Sequence, residues 1–90
     1  MMLYLVSYDL RNGSAEDYEE LYREFERFSD CKRCLASSWL VATSLSCGAV
    51  RDILFAHMKK GDHIVVVPYD EPRSSMLSSD VVQWIRRYLA

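Results

Sequence analysis

Several features that define whole classes of protein are missing from this sequence. Its three cysteines lack the spacing of a disulfide framework, so reduced thiols in a cytoplasmic protein are the simplest interpretation. No basic segment precedes the first apolar run, and Asp9 interrupts that run, so we expect neither a signal peptide nor a membrane span. Phosphate-binding loops, hydrolase triad motifs, internal repeats and low-complexity segments are also missing.

An excess of basic residues is missing as well. The formal net charge of −2 weakly disfavours a dedicated, nonspecific nucleic-acid binder, although a local basic patch stays open. What the chain does have is apolar residues, which make up 50% of its 90 residues. This is enough for the core of one small domain, but such a domain leaves much surface uncovered, and an oligomer would help.

The apolar pattern predicts alternating strands and helices. The run Leu3–Leu10 is apolar on both faces of a strand, which favours a position in the middle of a sheet covered on both sides. Ser14 and Ser46 are suitable N-caps for two helices with apolar stripes. The predicted order is strand Leu3–Leu10, a helix after Ser14, an extended region Cys31–Thr43 broken at Ser37–Ser38, a helix after Ser46 with Lys59 and Lys60 in its last turn and a stop at Gly61, strand Ile64–Val67, and a final helix.

This order predicts an α+β fold, specifically a ferredoxin-like βαββαβ sandwich with an additional C-terminal helix. We expect a single domain in which residues 1–69 form the core, residues 70–79 a linker and residues 80–90 the C-terminal helix. The two crossover helices would cover one face of the sheet. Either the C-terminal helix or a second copy of the protein must cover the other face, and we favour a homodimer to which that helix contributes.

Asp9 is the first candidate for a functional residue. It ends an apolar strand beside the turn signal Arg11–Gly13, where a fold can hold a reactive group rigidly and still expose it. In the predicted topology this strand end meets the beginnings of two neighbouring strands, at Ser38 and Asp62. Magnesium commonly takes one or two protein carboxylates, so two copies of Asp9 across a dimer axis would suit metal-assisted phosphodiester cleavage. The alternative is that Asp9 is a turn-capping surface residue.

Three segments resemble the CRISPR-associated Cas-two family. Leu3–Leu10 is similar to the opening strand of that family, and Ser37–Val41 looks like its second signature, a serine followed by apolar residues. Asp62–Pro68 is similar to its last core strand, so the resemblance spans Leu3–Tyr69. It extends to stand-alone relatives of the family and, more distantly, to the virulence-associated protein D toxins.

The resemblance implies a small ferredoxin-like homodimer with an aspartate at its interface. Members have been assigned metal-dependent ribonuclease or deoxyribonuclease activity, and others act as non-catalytic scaffolds beside the CRISPR integrase. By position, Asp9 would be the catalytic carboxylate and magnesium ligand, with Tyr8 and Ser38 as catalytic neighbours. We assign substrate binding to Arg11 and Arg33.

Two functions therefore remain open. The first is a dimeric, nucleic-acid-associated protein that acts as a magnesium-dependent endonuclease on RNA or DNA, with an integrase-type protein as a further partner. The second is a non-catalytic homodimeric scaffold or protein-binding module. The position of Asp9 favours the first, whereas the acidic charge and the single carboxylate favour the second.

Cysteine and histidine residues form weaker candidates for a functional site. Cys31–Cys34 has C-x-x-C spacing, but it follows a helix and enters a strand, whereas a redox pair needs its first thiol at a helix N-terminus. Zinc would need two more ligands, and only Cys47, His57 and His63 remain, so we interpret the cysteines as bystander thiols. His63 is suited to proton transfer, but strand neighbours point apart, so His63 and Asp62 cannot both face one site.

Overall fold

A computed structural model describes residues 1–89 of the chain. Its elements are β1 (Met2–Asp9), α1 (Ala15–Phe25), β2 (Asp30–Leu35), β3 (Ser38–Thr43), α2 (Cys47–Phe55), β4 (His63–Pro68) and α3 (Ser79–Ile85). The α+β class predicted from the sequence is confirmed. Within the described residues, no helix has the length and apolar character needed to cross a bilayer.

The strands form one four-stranded sheet in the order β2-β3-β1-β4, in which every pair of neighbours is antiparallel. β1 therefore lies between β3 and β4, as its two apolar faces predicted. The register sets Ser7 opposite Ser38 on one side and Asp9 opposite His63 on the other. Because opposed residues share a face of the sheet, this register decides which side chains meet near the end of β1.

α1 and α2 cover one face of the sheet, which we call the first face. Ser14 caps α1 in a reciprocal capping box with Asp17, and this fixes where the helix begins. Leu21 and Phe25 of α1 are almost completely buried, and the Phe25 ring stacks on Trp39 with 4.6 Å between ring centroids. Full burial of one such side chain stabilises the fold by about 1.5–3 kcal/mol. The aromatic stripe of α1 therefore anchors the helix to the centre of the sheet.

α3 packs on the opposite face of the same chain, the second face. Its buried residues Val81, Trp84 and Ile85 form a cluster with Leu3, Leu40 and Ala42 of the sheet. Polar contacts tie α3 to the edge strand β2: the Tyr88 phenol donates a hydrogen bond to Asp30, and Lys32 pairs with Asp80 at 2.9 Å. The C-terminal helix thus covers one part of the second face without help from another copy.

The β4 side of the second face is not covered by α3. We call it the uncovered half, and its residues are Ser7, Asp9, His63, Val65 and Val67. Val65 and Val67 keep 52% and 41% of their surface exposed, although valine in a strand is normally buried. The end of β1 therefore lies beside an exposed apolar strip.

The second helix is shorter than the sequence predicted. α2 ends at Phe55, and Lys59 lies in the following turn instead of the last turn of the helix. The hydrogen bonds tighten directly after Phe55, where the N–H groups of His57 and Met58 donate to the carbonyls three residues back. Further along, a carboxylate oxygen of Asp62 accepts the backbone N–H of Lys59 at 2.8 Å and closes a separate turn. Gly61 has a φ of 94° in that turn, so it serves the loop and does not end the helix.

The last helix is also shorter than predicted. α3 covers Ser79–Ile85, whereas residues 80–90 were expected to be helical, and Ala90 lies outside the described residues. Arg87 and Tyr88 follow in a tighter turn that hydrogen-bonds back to Trp84 and Ile85. The segment before α3 contains neither helix nor strand from 69 to 78, and Ser79, expected as the last residue of a 70–79 linker, is the first residue of α3.

Candidate functional site

Asp9 ends β1 with an exposed side chain on the uncovered half of the second face. His63 begins β4 directly across from it, and both residues line a shallow depression of about 260 Å³. The remaining lining residues are Ser7, Tyr8, Ile64 and Val65. A carboxylate and an imidazole therefore share one solvent-accessible surface at the end of the first strand.

Ser38 reaches the same part of the sheet from β3. Its hydroxyl donates a hydrogen bond to the Ser7 hydroxyl at 3.1 Å, and Ser7 in turn donates to the backbone carbonyl of Ser37 at 3.4 Å. Ser38 is only 9% exposed, so this chain of hydroxyls is held in place by the sheet. The structure thus brings Ser38 to the face that carries Asp9, and Ser7 lies between them in the register.

Tyr8 lies on the other side of the sheet. Its ring is 5% exposed and packs against Phe25 in the first-face core, with 6.0 Å between centroids. Burial raises the pKa of Tyr8 to about 12, and its hydroxyl has no hydrogen-bond partner among residues 1–89. Successive strand residues point to opposite faces, so the structure separates Tyr8 from Asp9 despite their adjacency in sequence.

Arg33 is likewise remote from Asp9. It lies on the edge strand β2, two strands away from β1 and opposite Trp39 of the first face. Its guanidinium lies 4.9 Å from the centroid of the Tyr22 ring and donates a hydrogen bond to the Ala36 carbonyl at 2.7 Å. These contacts hold Arg33 on the helix-covered side, so the structure does not bring it to the candidate site.

Arg11 stays close to the end of β1, in the turn that follows Asp9. Its backbone N–H donates to the Asp62 carboxylate at 2.9 Å, and Asp62 also accepts the N–H of Lys59. These two backbone hydrogen bonds lower the pKa of Asp62. Asp62 therefore joins the two loops beside the site, and Arg11 is held there with an exposed side chain.

A metal site is incomplete within one copy. In residues 1–89, no group of three or more His, Cys, Asp or Glu side chains is arranged to hold a metal ion. Asp9 and the serine hydroxyls are hard oxygen donors of the kind that magnesium prefers, so the chemistry of the donors fits. Each chain contributes one carboxylate, Asp9, to this site, so a second copy or phosphate oxygens would have to complete the coordination.

The C-x-x-C pair does not form a common site. Cys31 packs against the first-face core, whereas Cys34 packs against the second-face cluster. Three positions apart on a strand place two side chains on opposite faces, so the thiols point away from each other. Burial raises the pKa of both thiols, which makes them less reactive than exposed cysteines.

His63 was not linked to Asp9 in the sequence analysis. It was considered beside its neighbour Asp62 and as one of the remaining zinc ligands, whereas its partner in the sheet is Asp9. The signal for this pairing was present: β4 was expected to begin where β1 ends, and antiparallel neighbours bring such ends together.

Comparison with known proteins supports the fold. No protein-family model matches the chain, and no curated protein matches it. The crystal structure of a hypothetical protein from Thermus thermophilus superimposes with a TM-score of 0.62 and 16% sequence identity, covering 83% of this chain and 89% of that chain. At this identity the likeness concerns the fold alone.

Proposed function

We propose that this chain is a Cas-two-like homodimer of ferredoxin-like fold that associates with nucleic acid in the cytoplasm and uses Asp9 in magnesium-dependent cleavage of phosphodiester bonds in RNA or DNA. The observation that carries this proposal is the exposed Asp9 beside His63 and the Ser38–Ser7 hydroxyls. The sheet order supports the ferredoxin-like assignment, because from the β4 edge it is β4-β1-β3-β2.

The exposed apolar strip supports a dimer. Val65 and Val67 lie on the same face as Asp9, and a second copy packed there would remove both side chains from water. In a two-fold interface the same surface meets itself, so the two Asp9 residues would lie at equal distances from the axis. Such an arrangement would supply the second carboxylate that one copy lacks.

Each residue of the site has a distinct role in this proposal. Asp9 of the two copies would hold the cation, and magnesium bound there would polarise a phosphoryl oxygen and acidify a water molecule. His63 would accept or donate the proton, because imidazole exchanges protons near neutral pH. Arg11 would attract the phosphate from the adjacent turn. Tyr8 and Arg33 have no role in it, because they lie on the helix-covered face.

A second candidate is a non-catalytic homodimeric scaffold that docks another protein, such as an integrase-type partner. It is favoured because each chain brings only one carboxylate, Asp9, to the candidate site, and because residues 1–89 contain no three-ligand group. The same valine strip would then serve as a docking surface.

The test is a cleavage assay with labelled RNA and duplex DNA, with and without magnesium. Asp9→Asn should lower magnesium-dependent cleavage by about 100-fold or more, since a metal ligand contributes several kcal/mol to the reaction. Asp52→Asn is the matched control, because Asp52 is an exposed aspartate on α2, where it pairs with Arg51. Its activity should equal that of the wild type.

The outcomes separate the two candidates. Cleavage that is equal in the wild type and both variants would contradict an active site at Asp9. Nucleic-acid binding that weakens with salt, without cleavage, would support a nucleic-acid scaffold. If the protein neither binds nor cleaves nucleic acid, the result would support the protein-binding module.

A further inference from the structure

Two neighbouring cavities lie beside the loop of residues 69–78 on the second face, away from Asp9, and α3 lines the larger of them. The larger, of about 340 Å³, has a mixed lining that includes Tyr69, Arg73, Ser75, Val82, Arg86 and Leu89. The smaller, of about 170 Å³, is lined mainly by apolar side chains, among them Leu5, Leu40 and Leu77. Tyr69 and Ser75 line both cavities, so the two are direct neighbours, and we call them together the groove, with a charged end and an apolar end.

The charged end carries two arginines from different elements. Arg73 comes from the loop and Arg86 from the end of α3, and neither position stood out in the sequence. The Arg73 side chain is only 22% exposed, and its guanidinium lies 5.6 Å from the centroid of the Tyr69 ring. Two guanidinium groups and the Ser75 hydroxyl are suitable donors for a phosphate or a carboxylate.

Arg73 already has a partner in Glu71, at 2.8 Å. The Glu71 side chain is 66% exposed, and exposed ion pairs of this kind contribute little free energy. An anion in the groove can therefore replace Glu71 at low cost.

Tyr69 forms a fixed part of the wall of both cavities. Its backbone N–H donates to the Leu3 carbonyl at 2.9 Å and extends the pairing of β4 with β1, so the residue cannot easily move. Its ring also packs against the Arg73 guanidinium and so helps to hold that group at the charged end.

The lining of the apolar end limits which ligands fit there. It carries few polar side-chain groups: the hydroxyls of Ser74 and Ser75, the Tyr69 phenol and the Cys34 thiol. A nucleobase would leave several polar edge atoms unpaired there, which is costly, whereas an aliphatic chain needs no polar partner.

We propose that this groove binds an amphiphilic anion, with a phosphate or carboxylate head group held by Arg73, Arg86 and the Ser75 hydroxyl and a short aliphatic chain in the apolar end. The site is separate from Asp9 and does not depend on nuclease activity.

The test is calorimetry on the full chain with octyl phosphate and octanoate, each below its micelle concentration. Inorganic phosphate and octanol serve as head-only and tail-only probes. We expect saturable binding of at least one octyl anion, at least about tenfold tighter than binding of either partial probe, because head and chain each add free energy. The better of the two octyl anions identifies the head group.

Variants locate the site. Arg73→Gln and Arg86→Gln should each weaken binding by about tenfold or more, since each removes a charge-assisted hydrogen bond. Arg51→Gln is the control, because Arg51 lies on α2 at the first face and pairs with Asp52. Glu71→Gln should act in the opposite direction and tighten binding, because it releases Arg73.

Several results would overturn the proposal. These are no binding of either octyl anion, equal affinity in the Arg73, Arg86 and Arg51 variants, octanol binding as tightly as the anions, or inorganic phosphate binding as tightly as octyl phosphate. The Glu71→Gln variant keeps the test decisive if either arginine variant fails to fold, because unchanged affinity there would also contradict it.

Discussion

Asp9 and His63 oppose each other across the β1–β4 pair, and both lie on the uncovered half of the second face. The two residues lie far apart in the sequence, and only the antiparallel register brings them together. Because the backbone of both strands is hydrogen-bonded at this point, the two side chains start from a fixed separation. If the site is catalytic, we expect a division of labour in which Asp9 binds the cation and His63 transfers the proton.

This division predicts distinct effects of two substitutions. His63→Gln should lower the cleavage rate by about 10²–10⁴-fold while the magnesium concentration for half-maximal activity stays unchanged, because a general acid or base is lost and the cation ligand is kept. Asp9→Asn should abolish the magnesium response itself. His57→Gln is the control, since His57 follows α2 and pairs with Glu24 of α1, on the helix-covered side of the sheet. Magnesium titrations of the initial rate distinguish the cases, and equal rates for both histidine variants would exclude His63 from catalysis.

The proposed dimer predicts that the mass of the protein in solution falls when a charge is introduced into the apolar strip. Val65→Asp places a carboxylate in the exposed apolar strip, next to Asp9 of its own chain, and should shift the protein from dimer to monomer in light scattering. Met76→Asp is the control, because Met76 is 96% exposed and lies in the loop before α3. A wild-type protein that is monomeric at high concentration would contradict the shared metal site.

Docking of α3 should weaken in acid. The Ser78 hydroxyl and the Lys32 ammonium lower the pKa of Asp80 to about 2. Burial alone would raise the pKa of Asp30, but hydrogen bonds from Tyr88, Trp84 and the Cys31 N–H lower it. A carboxyl whose pKa is lower in the folded state adds stability above its unfolded pKa of about 4, and that stability is lost as pH falls through the folded value.

We therefore expect α3 to loosen between about pH 4 and pH 2, before the first-face core unfolds. The fluorescence of Trp84 in a Trp39→Phe background reports this step, because Trp84 is the remaining tryptophan and lies on α3. Asp80→Asn should make the fluorescence less dependent on pH over that window. A signal that stays constant down to pH 2 would show that these carboxylates do not hold the helix.

Replacing two glycines by alanine, one at a time, should change the stability in opposite directions. Gly61→Ala should lower the free energy of unfolding by about 1–2 kcal/mol, because a left-handed backbone disfavours a side chain. Its φ is 94°, and an added Cβ would approach the Arg11 Cδ to 3.0 Å. Gly48→Ala on α2 meets no atom closer than 3.9 Å and should raise stability by about 0.5–1 kcal/mol. Urea unfolding measures both, and equal shifts would refute the strain argument.

Much of the fold could be predicted because its signals are local. Leu3–Leu10 is apolar on both faces, which fits only a central strand, and β1 lies at the centre of the sheet. Ser14 and Ser46 are the N-caps of α1 and α2, where a side-chain oxygen next to an apolar stripe predicted them. The end of α2 could not be predicted, because the backbone hydrogen bonds tighten directly after Phe55 without a stop residue to mark the change.

The candidate site was only partly predictable. The topology correctly brought Ser38 to the face that carries Asp9. Tyr8 was assigned to the site from adjacency in sequence, but strand alternation sends it to the opposite face. The pairing of Asp9 with His63 depends on register, and a shift by one residue would have exposed Ile64 in its place. Periodicity identifies a strand without fixing that register.

The two hydrophobic clusters lie on opposite sides of β1 and β3, and α3 belongs to only one of them. A transient opening of α3 would therefore expose Leu3, Leu40 and Ala42 while the aromatic cluster under α1 stays intact. The amide protons of α3 should then exchange with solvent by a low-energy opening, whereas those of the central strands should exchange only on global unfolding. The sheet therefore separates the cluster under α1, which should stay packed until global unfolding, from the cluster under α3, which the opening of one helix would expose.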